Sequence, residues 1–205
     1  MIGVMGNRIP AMPLLGEPLL VELANTLYVD QSATIDFFAH RAWIAAWFVQ
    51  ASSARELVVP ARITEAQADE LRHLRDAVRT VFTTVERNGG QVPSGAVDAI
   101  NDLVRRSSAS VVIDWRRGDR PRAVVDTPGG AFGVLLATLA ARCVAFVTGP
   151  DLTHVQRCSR PECHMLFFQQ HHRRRYCNPR CANADRQSRY YQRVTARPPT
   201  GTPSG

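Results

Sequence analysis

The chain has 205 residues, of which 45% are hydrophobic, and a formal charge of +7. The length allows one ordinary domain or one domain with a small module, and this hydrophobic fraction excludes a wholly disordered chain. Residues 157–205 carry 10 arginines and 2 acids, a net +8, whereas residues 1–156 carry 15 arginines and 16 acids, a net −1. A basic tail on a near-neutral body is typical of proteins that bind polyanions, although a solubilising tail gives the same pattern.

The N-terminal segment lacks the features of a secretory signal. Residues 1–16 lack a basic segment, and Pro10 and Pro13 interrupt any apolar run there. We expect a reducing, cytoplasmic location, in which clustered cysteines are more often metal ligands than disulfides. Residues 1–16 are expected to form a flexible arm. The longest apolar run, residues 131–148, contains Arg142 and is predicted to be a buried helix and not a membrane span.

The first half of the body is predicted to be helical. Apolar residues at helical spacing predict one helix over residues 17–28 and a second that starts at Asp30 or Ser32 and runs through Phe48. Thr64 and Gln67 have the spacing of a capping box, which predicts the start of a third helix that stops at residues 88–90.

The second half adds a short helix, a β-hairpin and the apolar helix. Ser94 is expected to cap the short helix. The β-branched segments 110–115 and 123–126 flank a turn at residues 117–120 and predict a hairpin. The apolar helix should run over about 128–148 and end at Gly149-Pro150, where we draw a boundary between a body of residues 17–150 and a module of residues 151–197. Residues 198–205 are expected to be disordered.

Four cysteines have metal-ligand spacing: Cys158-x4-Cys163, thirteen residues, then Cys177-x3-Cys181. Two short pairs on tight turns suit a tetrahedral site with four sulfur ligands, and a region this small needs a cross-link to fold. The sequence therefore predicts one structural Zn²⁺ per chain, with disulfides or an iron–sulfur cluster as the alternatives. Such a site leaves no open coordination position for catalysis. The remaining cysteine, Cys143, is expected to be a small buried apolar residue.

Arginines surround this predicted site. One group directly precedes the second cysteine pair, and another shares one face of a helix expected after Cys181. The candidate nucleic-acid-binding residues are Arg173, Arg174, Arg175, Arg186, Arg189 and Arg193. His164, His171 and His172 are rival metal ligands, and Tyr190 and Tyr191 could stack on bases.

The body contains polar side chains on otherwise apolar helices. They could line a ligand pocket, or they could be caps, satisfied core groups and surface charges. The candidate pocket residues are Asn25, Thr26, Arg41, His73 and Arg75. No nucleophile–base pair or phosphate-binding loop is present in the body sequence, so we do not expect an enzyme.

The tail resembles the CGNR zinc finger. The matching segments are Arg157-Cys158-x4-Cys163, Phe167-Phe168, Arg174-Arg175-Tyr176-Cys177 and Cys181-Ala182-Asn183-Ala184. Ala182 and Ala184 replace the glycine and arginine of the motif, and Arg186 could take the place of that arginine. The body is similar to the ABATE-type domain that precedes this finger, through residues 20–27, 71–79 and 99–103.

This resemblance, over residues 17–197, implies a stress-induced bacterial transcription regulator. The expected fold is mostly α (α+β): a helical domain with a β-hairpin, then a small four-cysteine module ending in a basic helix. We expect duplex DNA as the partner, with a body that senses a small-molecule effector or forms a homodimer. An RNA-binding factor and a zinc-thiolate redox or protein-interaction switch are the alternatives.

Overall fold

A computed structural model describes residues 12–30, 33–52, 57–87, 90–107, 109–115 and 120–195. In this part of the chain the fold is mostly helical with three two-stranded antiparallel sheets, which confirms the predicted fold class. The helices are α1 (Leu19–Ala24), α2 (Arg41–Ser52), α3 (Glu65–Glu86), α4 (Ser94–Arg106), α5 (Gly130–Thr148) and α6 (Pro179–Thr195). The strands are β1 (Leu27–Asp30), β2 (Ala33–Asp36), β3 (Ser110–Asp114), β4 (Arg122–Asp126), β5 (Val155–Arg157) and β6 (Leu166–Phe168). Two 3-10 helices cover Phe37–Ala39 and Pro150–His154.

The long helix α3 lies at the centre of the body. The predicted capping box starts it: Thr64 Oγ1 accepts from the Gln67 backbone N–H at 3.2 Å, and Gln67 Oε1 accepts from the Thr64 N–H at 2.9 Å. Its fully buried face includes Leu71, Val78 and Phe82. The helix packs against α1, α4 and strand β5, so it contacts both the body and the C-terminal module.

The first two predicted helices exist, but both are shorter than predicted, and the hairpin between them was not predicted. Helix α1 ends at Ala24, and a hairpin of β1 and β2 occupies much of the region where the second helix was expected. The segments 27–30 and 33–36 contain β-branched residues that favour strands. The Asp36 carboxylate then accepts from the Phe38 N–H at 2.8 Å and caps a 3-10 turn, so α2 begins only at Arg41. Ser32 lies outside the described residues.

The later elements are closer to prediction. Helix α4 starts one residue earlier than predicted, because Pro93 and not Ser94 occupies the cap position and Ser94 is the first helical residue. Strands β3 and β4 pair as expected, whereas residues 116–119 of the predicted turn lie outside the described residues. Helix α6 begins at Pro179, before Cys181, because Asn178 caps it by accepting from the Cys181 N–H at 2.9 Å.

By length and composition alone, helix α5 could cross a membrane, since its most apolar stretch of 18 residues has a mean hydropathy of 2.0. One of its faces packs in the main core, where Leu135, Leu139 and Cys143 are fully buried. Burial raises the pKa of the Cys143 thiol to about 12, so this group stays neutral. Cys143 is thus the buried apolar residue that the sequence predicts.

The main core joins the body to the C-terminal module. Val155 of β5 and Leu166 of β6 are buried in the same cluster as the body helices. Within the segment 12–16, Leu14 packs against this core, and the Leu15 N–H donates to the Glu22 carboxylate at 2.8 Å. Of the predicted flexible arm, residues 12–16 are therefore packed, and residues 1–11 lie outside the described part of the chain. The predicted disordered tail, residues 198–205, lies outside it as well.

Candidate zinc centre and nucleic-acid interface

Four cysteine sulfurs meet where the elements of the module end. Cys158 directly follows β5, Cys163 lies in the loop before β6, Cys177 precedes α6, and Cys181 sits in its first turn. All four sulfurs lie within 4.8 Å of one another. The Sγ–Sγ distance is 3.7 Å both between Cys163 and Cys177 and between Cys177 and Cys181.

These distances fit one tetrahedral metal ion. A Zn–S bond of about 2.3 Å implies sulfurs about 3.8 Å apart in a regular tetrahedron. A disulfide would bring two sulfurs to about 2.05 Å, so the 3.7 Å separations exclude that alternative. An iron–sulfur cluster attaches its cysteines to different irons and needs a wider spread than this. The module is therefore built for one structural zinc, as the sequence predicts.

Hydrogen bonds between the thiols lower the pKa of Cys158 to about 2, but they raise the pKa of Cys163 to about 12 and raise that of Cys177 as well. Zinc binds thiolates, so the ion itself would stabilise the negative charge on these other sulfurs. The Asn178 amide donates to Cys177 Sγ at 3.4 Å. Backbone bonds fix the turns, since the Cys158 N–H donates to the Met165 carbonyl at 3.0 Å.

The rival histidine ligands stand apart from the sulfurs. The Arg157 guanidinium lies 2.8 Å from His164 Nδ1, and because a guanidinium can only donate, this ring nitrogen accepts. His171 and His172 are exposed. Among the described residues, none of these histidines joins the cysteine cluster.

Arg174 has a structural role that the sequence did not indicate. Its guanidinium donates to the buried Glu17 carboxylate, to the Cys177 carbonyl at 2.9 Å and to the Phe168 carbonyl at 3.2 Å. It also lies 4.7 Å from the centre of the Phe167 ring. With its donors used by the fold, Arg174 is poorly available to phosphate.

Its two neighbours are placed differently. Arg173 and Arg175 are exposed, and neither forms an ion pair within the described residues. Arg180, in the first turn of α6, is exposed and equally free of an acidic partner there. The sequence analysis missed Arg180, although its position between Cys177 and Cys181 fixes it beside the metal.

The three candidate arginines of α6 share one surface. Arg186, Arg189 and Arg193 line an open depression of about 560 Å³ together with Gln192. Arg189 forms an ion pair with Asp185 at 2.7 Å, which reduces its free charge. The Arg193 Nε donates to the Arg189 carbonyl at 3.3 Å.

The CGNR motif departs from its pattern beside this surface. Arg186 donates a hydrogen bond to the side-chain oxygen of Asn183, the motif residue that this chain keeps. Arg186 thus lies next to Asn183 even though Ala184 replaces the arginine of the motif.

The predicted pocket residues fall into two groups. Asn25, Thr26 and Arg75 are buried, and each is bonded to protein groups: Asn25 to Leu166, Thr26 to the Leu23 carbonyl at 2.8 Å, and Arg75 to Asp36 and Asp76. Arg41 and His73 are exposed. The structure does not bring the five side chains to one described cavity, and an effector pocket formed by them stays a prediction.

Comparison with known proteins agrees with this architecture. The ABATE family model, described as "Putative stress-induced transcription regulator", matches residues 17–150. The CGNR zinc finger model matches residues 154–194. A search of curated proteins finds no match. Because the first model covers more than half of the chain and the second covers the four clustered sulfurs, this protein belongs to the ABATE family and carries a C-terminal CGNR zinc finger.

Proposed function

We propose that this chain is a transcription regulator that binds duplex DNA through the arginines around its zinc centre. The observation that carries the proposal is a set of exposed arginines beside the zinc centre that have no acidic partner within the described residues: Arg173, Arg175 and Arg180. The guanidinium fork can form paired hydrogen bonds to phosphate oxygens. Because the zinc fixes the adjacent backbone, these side chains lose less entropy on binding than they would on a free peptide.

The charge of the C-terminal segment supports the same conclusion. Residues 157–205 carry a net +8, and four thiolates around Zn²⁺ contribute about −2, which leaves about +6. The body of residues 1–156, at −1, offers no comparable attraction for a polyanion. Phosphate contacts of this kind supply affinity that is largely independent of sequence.

Duplex binding can be measured by fluorescence anisotropy over a range of salt concentrations. The logarithm of affinity should fall linearly with the logarithm of salt, with a slope of about −0.9 for each phosphate contact. The double variant Arg173→Ala/Arg175→Ala should bind more weakly with a shallower slope. Arg105→Ala is the matched control, because Arg105 is an exposed arginine on α4 in the body. Absence of duplex binding at low salt would overturn the proposal.

Single-stranded RNA is the second candidate ligand, and it is favoured by two exposed aromatic rings on α6. Tyr190 and Tyr191 are 58% and 66% exposed, and their ring centres lie 5.8 Å apart. Bases of single strands stack on such rings. Competition between duplex DNA and single-stranded RNA for the full-length protein separates the two ligands. Preferential RNA binding that is lost in Tyr190→Ala/Tyr191→Ala would favour the second candidate.

We also propose that the body carries the regulatory input, as the description of its family suggests. The observation that supports this is the direct bonding of body to finger. The Arg79 guanidinium donates to the Ala24 carbonyl at 2.8 Å and to the His164 carbonyl at 3.1 Å. An effector that shifted α1 or α3 would therefore shift the finger. Thermal-shift screening of small molecules, with hits tested for a change in DNA affinity, addresses this input.

A redox input at the zinc thiolates is the remaining alternative. Oxidation of the sulfurs would release the metal and unfold the finger. Zinc that stayed bound during peroxide treatment would exclude it.

A further inference from the structure

The hairpin of β3 and β4 exposes an unusual amount of apolar surface. Val111, Ile113 and Trp115 are 75%, 77% and 71% exposed, and Val112 and Val124 on the opposite face are 39% and 38% exposed. A half-buried strand normally alternates apolar and polar residues, whereas consecutive apolar residues are typical of strands covered on both faces. A two-stranded hairpin is also marginally stable by itself. The sequence of β3 is therefore typical of a strand that pairs on both edges, whereas β3 pairs only with β4 here.

The outer edge of β3 is unprotected. Within the described residues, the backbone groups of 110–113 have no hydrogen-bond partners outside the hairpin. Proteins usually protect such an edge with proline or with charged side chains. The β4 strand has both, since Pro121 and Arg122 stand at its start, but β3 has neither between Ser110 and Ile113.

We propose that β3 pairs antiparallel with β3 of a second copy of this chain, about a two-fold axis at Val112, to form a four-stranded sheet. In this register, residues whose numbers sum to 224 lie opposite each other. Val111 then lies opposite Ile113 of the other copy, and Val112 lies opposite its own equivalent. Cross-strand neighbours are about 5 Å apart, so each exposed side chain gains an apolar neighbour at its side.

The sequence of β3 is self-complementary in this register, and this favours a second copy over an unrelated partner. The polar ends pair with each other, because Ser110 lies opposite Asp114, and a serine hydroxyl can donate to a carboxylate. No like charges lie directly opposite each other. Asp114 has Ser110 of the other copy on one side and Arg122 of its own hairpin on the other. Beyond the strand, the bulky Trp115 lies opposite the small, exposed Ala109. A two-fold contact requires a patch of this kind, which complements itself.

Sedimentation velocity of the zinc-loaded protein over a range of concentrations tests the dimer. We expect a concentration-dependent dimer that Ile113→Lys shifts to monomer, because the substitution places a charge in the middle of the interface. Val49→Lys is the control, since Val49 is 60% exposed on α2 and is not part of the hairpin, and this variant should dimerise like the parent. Circular dichroism establishes that both variants are folded. A parent protein that is monomeric at all concentrations, or a dimer that tolerates Ile113→Lys, would overturn the proposal.

Cysteine cross-linking tests the register. Val112→Cys should form a disulfide-linked dimer under mild oxidation, because the two residues meet on the axis within the Cα–Cα range of about 4.4–6.8 Å that a disulfide requires. Val124 has nearly the same exposure and is the cross-strand partner of Val112, but it lies three strand spacings, about 14 Å, from its equivalent. Val124→Cys should therefore remain unlinked, with zinc content measured in both variants. Equal cross-linking at the two positions would exclude edge-to-edge pairing.

Both measurements are made without nucleic acid. A negative result removes this interface and leaves the DNA-binding proposal untouched. If the dimer forms, it presents two fingers related by a two-fold axis, and this arrangement matches paired half-sites on DNA.

Discussion

Asn25 in the body and Leu166 in the finger hold each other through two hydrogen bonds. The Asn25 amide donates to the Leu166 carbonyl at 2.8 Å, and the Leu166 N–H donates to the Asn25 side-chain oxygen at 2.8 Å. The two residues are 141 positions apart in sequence, and both are fully buried. The asparagine side chain thus takes the place of a neighbouring strand at the edge of β6.

Asn25→Ala should destabilise the whole protein. The substitution leaves the Leu166 N–H and carbonyl buried without partners, which costs about 1–3 kcal/mol. Urea unfolding followed by circular dichroism measures the change in the free energy of unfolding. Asn101→Ala is the control, because Asn101 makes no side-chain hydrogen bond within the described residues and should change stability by less than about 0.5 kcal/mol. Equal stability of the two variants would contradict the role of Asn25.

Arg174→Ala should act on stability, in contrast to its neighbours. Loss of the guanidinium removes a cation that contacts the Glu17 carboxylate, which is only 4% exposed, and this should cost about 3 kcal/mol. Arg173→Ala and Arg175→Ala should leave the thermal midpoint nearly unchanged, because both side chains are exposed. Differential scanning calorimetry distinguishes these outcomes. A wild-type midpoint for Arg174→Ala would mean that the contact with Glu17 contributes little.

Cys177→Ala should abolish stoichiometric zinc binding. Its sulfur lies 3.7 Å from those of Cys163 and Cys181, and three remaining thiolates bind the ion much less tightly. Cys143→Ala is the control, since Cys143 is buried in the main core and should leave one zinc per chain. Atomic absorption gives the metal content of each variant. Removing zinc from the parent with a chelator should unfold the segment around the cysteines, because among the described residues the cluster there buries only Phe167 besides three of the ligands.

Arg180→Ala should weaken duplex binding if the finger contacts DNA as proposed. Removal of one phosphate contact should lower the salt slope by about 0.9. Arg105→Ala, on α4 in the body, is the control because Arg105 already forms an ion pair with Asp102 at 2.6 Å. Anisotropy titrations at several salt concentrations compare the two variants. Equal losses from both would indicate a diffuse charge effect and not a contact at Arg180.

Sequence patterns predicted the parts of this protein that depend on local chemistry. Cysteine spacing predicted the cluster of sulfurs, because ligand pairs on tight turns need few outside contacts. The Thr64 capping box and the β3–β4 hairpin were likewise readable from neighbouring residues. The β1–β2 hairpin was missed, because its apolar residues also fit a helical period and only the Asp36 cap ends that run.

Long-range contacts were beyond the reach of those patterns. Arg174 looks like any exposed member of the basic segment 173–175 until Glu17, 157 residues away, is placed beside it. Asn25 could be named only as a candidate pocket residue or a satisfied core group, and the sequence did not indicate that its partner is a backbone strand of the finger. In both cases the role of the side chain depends on a partner that is distant in sequence, and no sequence pattern predicts that contact.

The shared burial of Val155 and Leu166 has a practical consequence for engineering. A peptide that began at residue 151 would keep the four cysteines, but it would expose Val155 and Leu166, whose strands pack against α3 and α1 in the full-length protein. Such a fragment would tend to aggregate. Fusing it to another protein would transfer the metal site without the body helices that pack against β5 and β6. An engineered variant of the finger should therefore keep β5 and β6 together with their native body.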